Sequence, residues 1–479
     1  MNQLFKNISF SGLSQLFYTL LAFLLVPFAA RYLGSDGFGL YSFAATVGFF
    51  VALLSDMGLN TLLTREISKH KAIARTITAH ILGVKSILTI IAIVVCSIYV
   101  ILSHFELRTF YAVVIFIIVS LLGSYSQLAY AIFRGFERMH YETIGVLSDK
   151  VLSVFLGIIF LVKGFGVQVF LISFLISGSI RSYFCYFIVK KQFFLPRIRF
   201  SKLRSLVLLR IATPFGLSYF LAICYNYIDI LMLTSMRTFS DVGIYSSGHK
   251  LLNITSLLPV VLANAFFPQL SRFANDREEL TRLFAKAIAY LLLFLAPLIP
   301  IILLLGDHII GLLFGESYAE STIVIKLLVF AAFAQTLNTL FVPLFASVDQ
   351  QRKIVRFQIY GLVLNVVLNA LLIPRYTYVG ASIATIATEW LILICIQIYS
   401  YRNIISLSRT VGTIIDSIIK IGIAAGVMIF GIYLIRPYAA DSWWLILCAG
   451  FLYCLGLIIT GELSKKRLQA IWKSEDVHG

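Results

Sequence analysis

Fourteen long apolar stretches run along this chain, and the short loops between them carry most of its charge. No other feature limits the fold as strongly, because the pattern fixes the solvent: about 18 or more mainly apolar residues read as a membrane-crossing helix. The spans are 9–30, 38–60, 78–103, 110–132, 145–162, 167–189, 211–235, 243–267, 287–305, 322–347, 357–374, 379–401, 413–435 and 443–461. At 1.5 Å per residue even the first clears a hydrocarbon core of about 30 Å. Only 13% of residues are charged and the mean hydropathy is +0.93, whereas soluble domains carry about 25% charged residues. The longest polar segments, around 190–210 and 271–286, are loop-sized. The expectation is an all-α polytopic membrane protein of about 14 transmembrane helices, with its function between helices and inside the bilayer.

A net charge of +17 would point to nucleic acid in a soluble chain. Here its distribution points elsewhere. With the N-terminus inside and the loops alternating, 29 Lys and Arg fall on inside segments and 8 on outside ends, while Lys85 and Arg181 lie within spans. The positive-inside rule then places both termini, including the basic C-terminal tail, in the cytoplasm. The N-terminal apolar run is longer than the core of a cleavable signal peptide, so it reads as the first membrane helix. The six cysteines (Cys96, Cys185, Cys224, Cys395, Cys448 and Cys454) sit in apolar spans without a CxxC or Cys/His cluster. They read as small core residues, and neither a disulfide framework nor a metal site is expected. Trp443 and Trp444 suit an interfacial belt.

The chain also resembles itself. Ser35-Asp36-Gly37-Phe38-Gly39-Leu40-Tyr41 follows the first span, and Ser240-Asp241-Val242-Gly243-Ile244-Tyr245 follows the seventh. Upstream, Gly12-Leu13-Ser14 matches Gly216-Leu217-Ser218 at nearly the same offset. Six helices per repeat leave both copies in one orientation, as in transporters built from parallel repeats. The intervening loop, 190–210, holds seven Lys and Arg and no acidic residue. It suits a cytoplasmic linker between two bundles, a face for anionic lipid headgroups, or both. Gly34, Gly37 and Gly39 permit a tight positive-φ link between helices. Pro27, inside the first span, marks either a moving hinge or a static kink.

These residues resemble a known family. Arg31-Tyr32-Leu33-Gly34-Ser35-Asp36-Gly37-Phe38-Gly39-Leu40-Tyr41, then Asp56-Met57-Gly58-Leu59-Asn60 with Arg65-Glu66, and later Val379-Gly380-Ala381-Ser382-Ile383-Ala384-Thr385, are similar to segments of Wzx-type lipid-linked oligosaccharide flippases. Those belong to the multidrug/oligosaccharidyl-lipid/polysaccharide exporter superfamily. The resemblance implies two pseudo-symmetric six-helix bundles, 1–200 and 201–405, followed by two extra helices and the tail over 406–479. It implies a flippase of the bacterial inner membrane that turns an undecaprenyl-diphosphate-linked oligosaccharide from the cytoplasmic to the periplasmic leaflet. The product would serve O-antigen-like or lipopolysaccharide synthesis, with a polymerase and a chain-length regulator as partners. No cofactor is implied beyond coupling to a proton or sodium gradient.

Ionisable groups within spans are costly and are candidates for function. Lys85 and Arg181 either receive the diphosphate or snorkel to the interface. Arg31, Arg237 and Lys250, toward the outer ends of their helices, either hold the headgroup late in transfer or anchor at the interface. Asp229 lies at a depth similar to Lys250, and the two would make a clamp or an alternating-access switch. Glu389, near the middle of the twelfth span, either takes a proton or sodium ion or bonds a neighbouring helix while protonated. Asp56, with Arg65 and Glu66, reads as a structural network or a gate.

Other functions fit less well. There is no Walker-type loop and no His–carboxylate cluster, so no enzyme is expected. The short outside loops do not suit a polymerase or glycosyltransferase. Multidrug exporters of the same superfamily commonly carry an acidic residue in the first helix, and 9–30 has none. Lipid II flippases carry arginines along that helix, and Arg31 stands alone at its end. Both remain alternatives to a surface-polysaccharide flippase.

Overall fold

Lipid offers no partner for a bare backbone N–H or C=O, so a spanning segment closes its hydrogen bonds within itself. The computed structural model, which describes residues 2–103, 105–252, 255, 257–435 and 444–462, is accordingly helical, with no strand among the described residues. Arg436, Trp443 and the basic tail with Lys465, Lys466, Arg467 and Lys473 lie outside the described residues.

The chain forms two compact units divided between Ser247 and Gly248. The first holds α1 (Asn2–Asp56), α2 (Leu59–Lys69), α3 (Ala74–Leu102), α4 (Leu107–Gly135), α5 (Met139–Val162), α6 (Val167–Gln192), α7 (Lys202–Met236) and the start of α8 (Phe239–Leu252). Here α1 packs on α3, α4, α5 and α7, while α6 packs on α4 and α5. The second unit holds the rest of α8, α9 (Leu257–Arg272), α10 (Arg277–Leu295), α11 (Leu298–Phe314), α12 (Ser321–Ser347), α13 (Gln351–Asn403), α14 (Leu407–Ile435) and α15 (Trp444–Ile459). In it α12 packs on α9 and α13, and α14 on α10 and α15. Within the first unit α7 lies against α1, α2 and α3.

Ten helical segments among the described residues are long and apolar enough to cross a membrane. Two of them each run through a pair of expected spans. In α1 the helix breaks at Gly34 (φ 67°, ψ 177°), a conformation open essentially to glycine alone. Of the three glycines expected to make this link, only Gly34 takes a positive φ. Pro27 lies within α1 at helical φ/ψ, away from the break. In α13 the break is at Thr377 (φ 50°, ψ −131°), just after Pro374, whose ring cannot continue the hydrogen-bond ladder. The segment 287–305 lies within one long apolar helical segment, Arg277–Phe314, in which α10 and α11 meet at Ala296 and Pro297, both at helical φ/ψ, and 243–267 runs from α8 into α9.

The radial pattern is that of a lipid-facing fold. On α3, Ile90, Val94, Ile98 and Ile101 stand exposed along one stripe, while Lys85 on the same helix is fully buried. Apolar side chains meet the bilayer, and charge turns inward where a partner can neutralise it.

Candidate functional site

Among the described residues, polar clusters that hold Lys85, Arg181 and Glu389 are set between helices, the first two in the first unit and the third in the second. The first begins where α1 stops. Met57 (φ 44°) and Gly58 (φ 85°) are both left-handed, which ends the helix on Asp56. A carboxylate there faces the negative end of its own helix dipole and needs a cation. Lys85 of α3 supplies it, Nζ donating to Asp56 Oδ1 at 3.0 Å. The ammonium also lies 5.7 Å from the centroid of the Tyr125 ring on α4, an added cation–π attraction. A 2.7 Å hydrogen bond between the Ser55 and Ser124 hydroxyls ties α1 to α4 alongside. Lys85 therefore does not snorkel: its side chain is 0% exposed and ends on a carboxylate. Arg65 and Glu66, grouped with Asp56 in the sequence, instead pair with each other at 2.7 Å on α2.

The second cluster joins α4, α5 and α6. Arg181 Nη1 donates to Asp149 Oδ2 at 2.5 Å and its Nε to Ser126 Oγ at 3.3 Å. Ser182, the next residue, bonds Ser126 at 3.0 Å and the Leu122 carbonyl at 3.1 Å. Glycines leave room for the guanidinium: a Cβ on Gly123 would stand 3.4 Å from Nη2, and one on Gly178 3.6 Å. The fork geometry lets one side chain bridge two helices at once. Asp149 lies inside the expected span 145–162, yet nothing in the sequence marks it as the partner of Arg181. Its helix begins at Met139, and the available signal was only that of an acidic residue far inside a helix.

The third cluster lies in the second unit. Glu389 on α13 is buried, and Asn338 Nδ2 on α12 donates both to its Oε2 at 3.0 Å and to its backbone carbonyl at 3.2 Å. Earlier in α13, before the Thr377 break, buried Asn369 donates to Asn365 Oδ1 at 2.9 Å. Asn338 was also missed, since an isolated amide in an apolar run carries no charge to mark it.

The other expected residues are placed as follows. Asp229 is buried in α7 and accepts from the Tyr245 hydroxyl at 2.7 Å. Lys250 is half-buried on the part of α8 in the second unit. Arg31 is exposed on α1 just before the break, and Arg237 is half-buried at the end of α7. The two repeat copies meet within the first unit: the Ser35 and Ser240 hydroxyls are 2.7 Å apart. A Cβ on Gly39 would fall 1.8 Å from the Phe239 carbonyl oxygen, and one on Gly243 2.0 Å from that of Ser35.

Lipid-facing apolar helices that enclose neutralised charges define a polytopic membrane protein with polar sites inside its helical units. Residues 4–274, more than half of the chain, match the polysaccharide biosynthesis protein family, and the chain belongs to that family. Residues 231–449 match the lipid II flippase MurJ family. A probable low-salt glycan biosynthesis flippase, Agl15 of Haloferax volcanii, is 24% identical over 76% of this chain and 76% of its own. A putative O-antigen transporter of Shigella dysenteriae is 23% identical over 78% of this chain and 94% of its own. Among solved structures, the lipid II flippase MurJ in an inward closed conformation superposes with a TM-score of 0.76 at 14% identity, covering 95% of this chain and 99% of that one. That likeness is one of fold.

Proposed function

We propose that this chain is a flippase of the bacterial inner membrane for surface polysaccharide synthesis. It carries undecaprenyl-diphosphate-linked oligosaccharide units from the cytoplasmic to the periplasmic leaflet by alternating access. The observation that carries this reading is the family match over residues 4–274, supported by a glycan flippase and an O-antigen transporter among the relatives. Both termini lie in the cytoplasm on the charge distribution of the loops. A polysaccharide polymerase and a chain-length regulator act downstream. The protein makes and breaks no covalent bond.

Lys85 and Arg181 receive the diphosphate. Each is held at rest by a carboxylate, Asp56 or Asp149, so the anionic headgroup binds by exchanging with that partner rather than by meeting a bare charge. Such an exchange keeps the cation neutralised throughout, which a low-dielectric interior requires. Arg31, Arg237 and Lys250 hold the headgroup later in its passage. Asp229 works with Tyr245 as a brace, and Glu389 couples transfer to a proton or sodium gradient through Asn338.

The test is leaflet transfer of undecaprenyl-diphosphate-linked oligosaccharide in proteoliposomes, with and without an imposed gradient. Lys85→Gln and Arg181→Gln should each slow transfer about tenfold or more, the size of one lost charge-assisted hydrogen bond. Transfer by either variant at the unaltered rate would refute the cationic path. Export of cationic dyes without lipid transfer would make the protein a multidrug exporter.

A further inference from the structure

A cavity of about 130 Å³ lies between α3, α4 and α6 of the first unit, with Pro196 of the linker at its edge. Its wall is mainly hydrocarbon, including Leu82 of α3, Leu128 and Ala129 of α4 and Val189 of α6. Cavities near this size hold a benzene-sized apolar group elsewhere. Thr78 also lines it: the residue is 0% exposed, and its hydroxyl has no hydrogen-bond partner among the described residues. A buried hydroxyl without a partner is costly, so the wall offers an unused donor to whatever enters.

The linker beside the cavity has the opposite chemistry. Its backbone is pinned to the first turns of α3: the Arg199 N–H donates to the Ala79 carbonyl at 2.9 Å. Gly83 makes room for the linker chain, since a Cβ there would lie 2.3 Å from the Arg199 carbonyl oxygen. The Arg204 guanidinium donates to His80 Nε2 at 3.0 Å. Pinned in this way, Arg197, Ile198, Arg199 and Phe200 all stand exposed, Ile198 at 67% and Phe200 at 60%. Guanidinium and hydrocarbon thus alternate on an extended strip. A bilayer interface satisfies both, with lipid phosphate meeting the cations and the acyl region taking the apolar side chains.

We propose that the cavity and linker form a binding site for one anionic phospholipid. Its phosphate rests on Arg197 and Arg199, a glycerol ester carbonyl accepts from Thr78, and the first methylenes of one acyl chain fill the space beside Leu82 and Ala129. Charge selects the class: 190–210 holds seven Lys and Arg and no Asp or Glu. Thr78 selects within it, because an isoprenyl diphosphate is a phosphate ester with no carboxylic ester carbonyl to accept from the hydroxyl. The occupant is therefore a membrane phospholipid rather than a polyprenyl cargo. Its binding braces the linker against α3 whatever the cargo is.

The test uses the full chain in nanodiscs containing a phosphatidylglycerol that carries a photoreactive diazirine on one acyl chain. Adducts should concentrate on peptides around Thr78, Ala129 and Val189, and unlabelled phosphatidylglycerol should displace them where phosphatidylcholine does not. The double variant R197Q/R199Q should weaken displacement by roughly fivefold per arginine removed, from the attraction of one basic residue to an anionic surface. Ala129→Phe, which fills the cavity, should remove the α4 adducts. If Ala129→Phe does not fold, the labelling and competition of the unaltered protein decide alone. Adducts spread evenly over the exposed apolar surface, or equal displacement by phosphatidylcholine, would overturn the proposal. Stronger displacement by undecaprenyl phosphate than by phosphatidylglycerol would overturn it too and assign the cavity to the cargo lipid. Transport is not measured, so failure of the flippase reading leaves this result unaffected.

Discussion

Lys85 and Asp56 depend on each other unequally with their surroundings. Lys85 is wholly enclosed while the Asp56 side chain is 13% exposed, so deleting the cation strands a carboxylate that is already opposed by its helix dipole. Lys85→Met should therefore destabilise the protein by about 3–5 kcal/mol, the usual cost of halving a buried pair. Adding Asp56→Asn should restore most of that loss, because replacing both members of such a pair is often close to neutral. Thermal unfolding in detergent measures both. Transfer should stay lost in the double variant, and recovery of transfer along with stability would make the pair structural only. The same residues show what a sequence discloses. Lys85 and Arg181 stood out as cations in apolar runs, but their partners did not. Asp56 was grouped with its neighbours Arg65 and Glu66, whereas its cation lies 29 positions on. Pairing is a tertiary fact, and hydropathy carries no information about which helix a residue faces.

At the scale of elements, hydropathy located helices well and breaks poorly. A break needs only one residue, such as Gly34 or Thr377, and an average over some twenty residues passes across it. The glycines of the first link divide the labour: Gly34 turns the chain, and Gly39 lets another segment approach. They should respond differently to substitution. Gly34→Ala meets open space, so its cost is backbone strain alone, about 1–3 kcal/mol. Gly39→Leu places a side chain onto the Phe239 carbonyl and should prevent the Ser35–Ser240 contact from forming. Cross-linking of a Ser35→Cys/Ser240→Cys pair reads this directly: it should persist with Gly34→Ala and vanish with Gly39→Leu. Its survival in Gly39→Leu would show that the close approach is not needed for the contact.

For the whole molecule, the large basic excess concerns orientation. If 190–210 faces the cytoplasm, a cysteine at Lys202, exposed at the start of α7, should react with a membrane-impermeant maleimide only after the inner face is opened. Labelling in intact cells would invert the topology and with it the proposed direction of transport. The two similar segments, around Gly39 and Gly243, constrain one another. Each copy occupies the space that a β-carbon in the other would need, Gly39 against Phe239 and Gly243 against Ser35. The two segments are then not free to vary separately at these positions, because a gain of bulk in one is penalised through the other. Chimaeras that join the first half of one relative to the second half of another should therefore fail at this seam before they fail at the cargo.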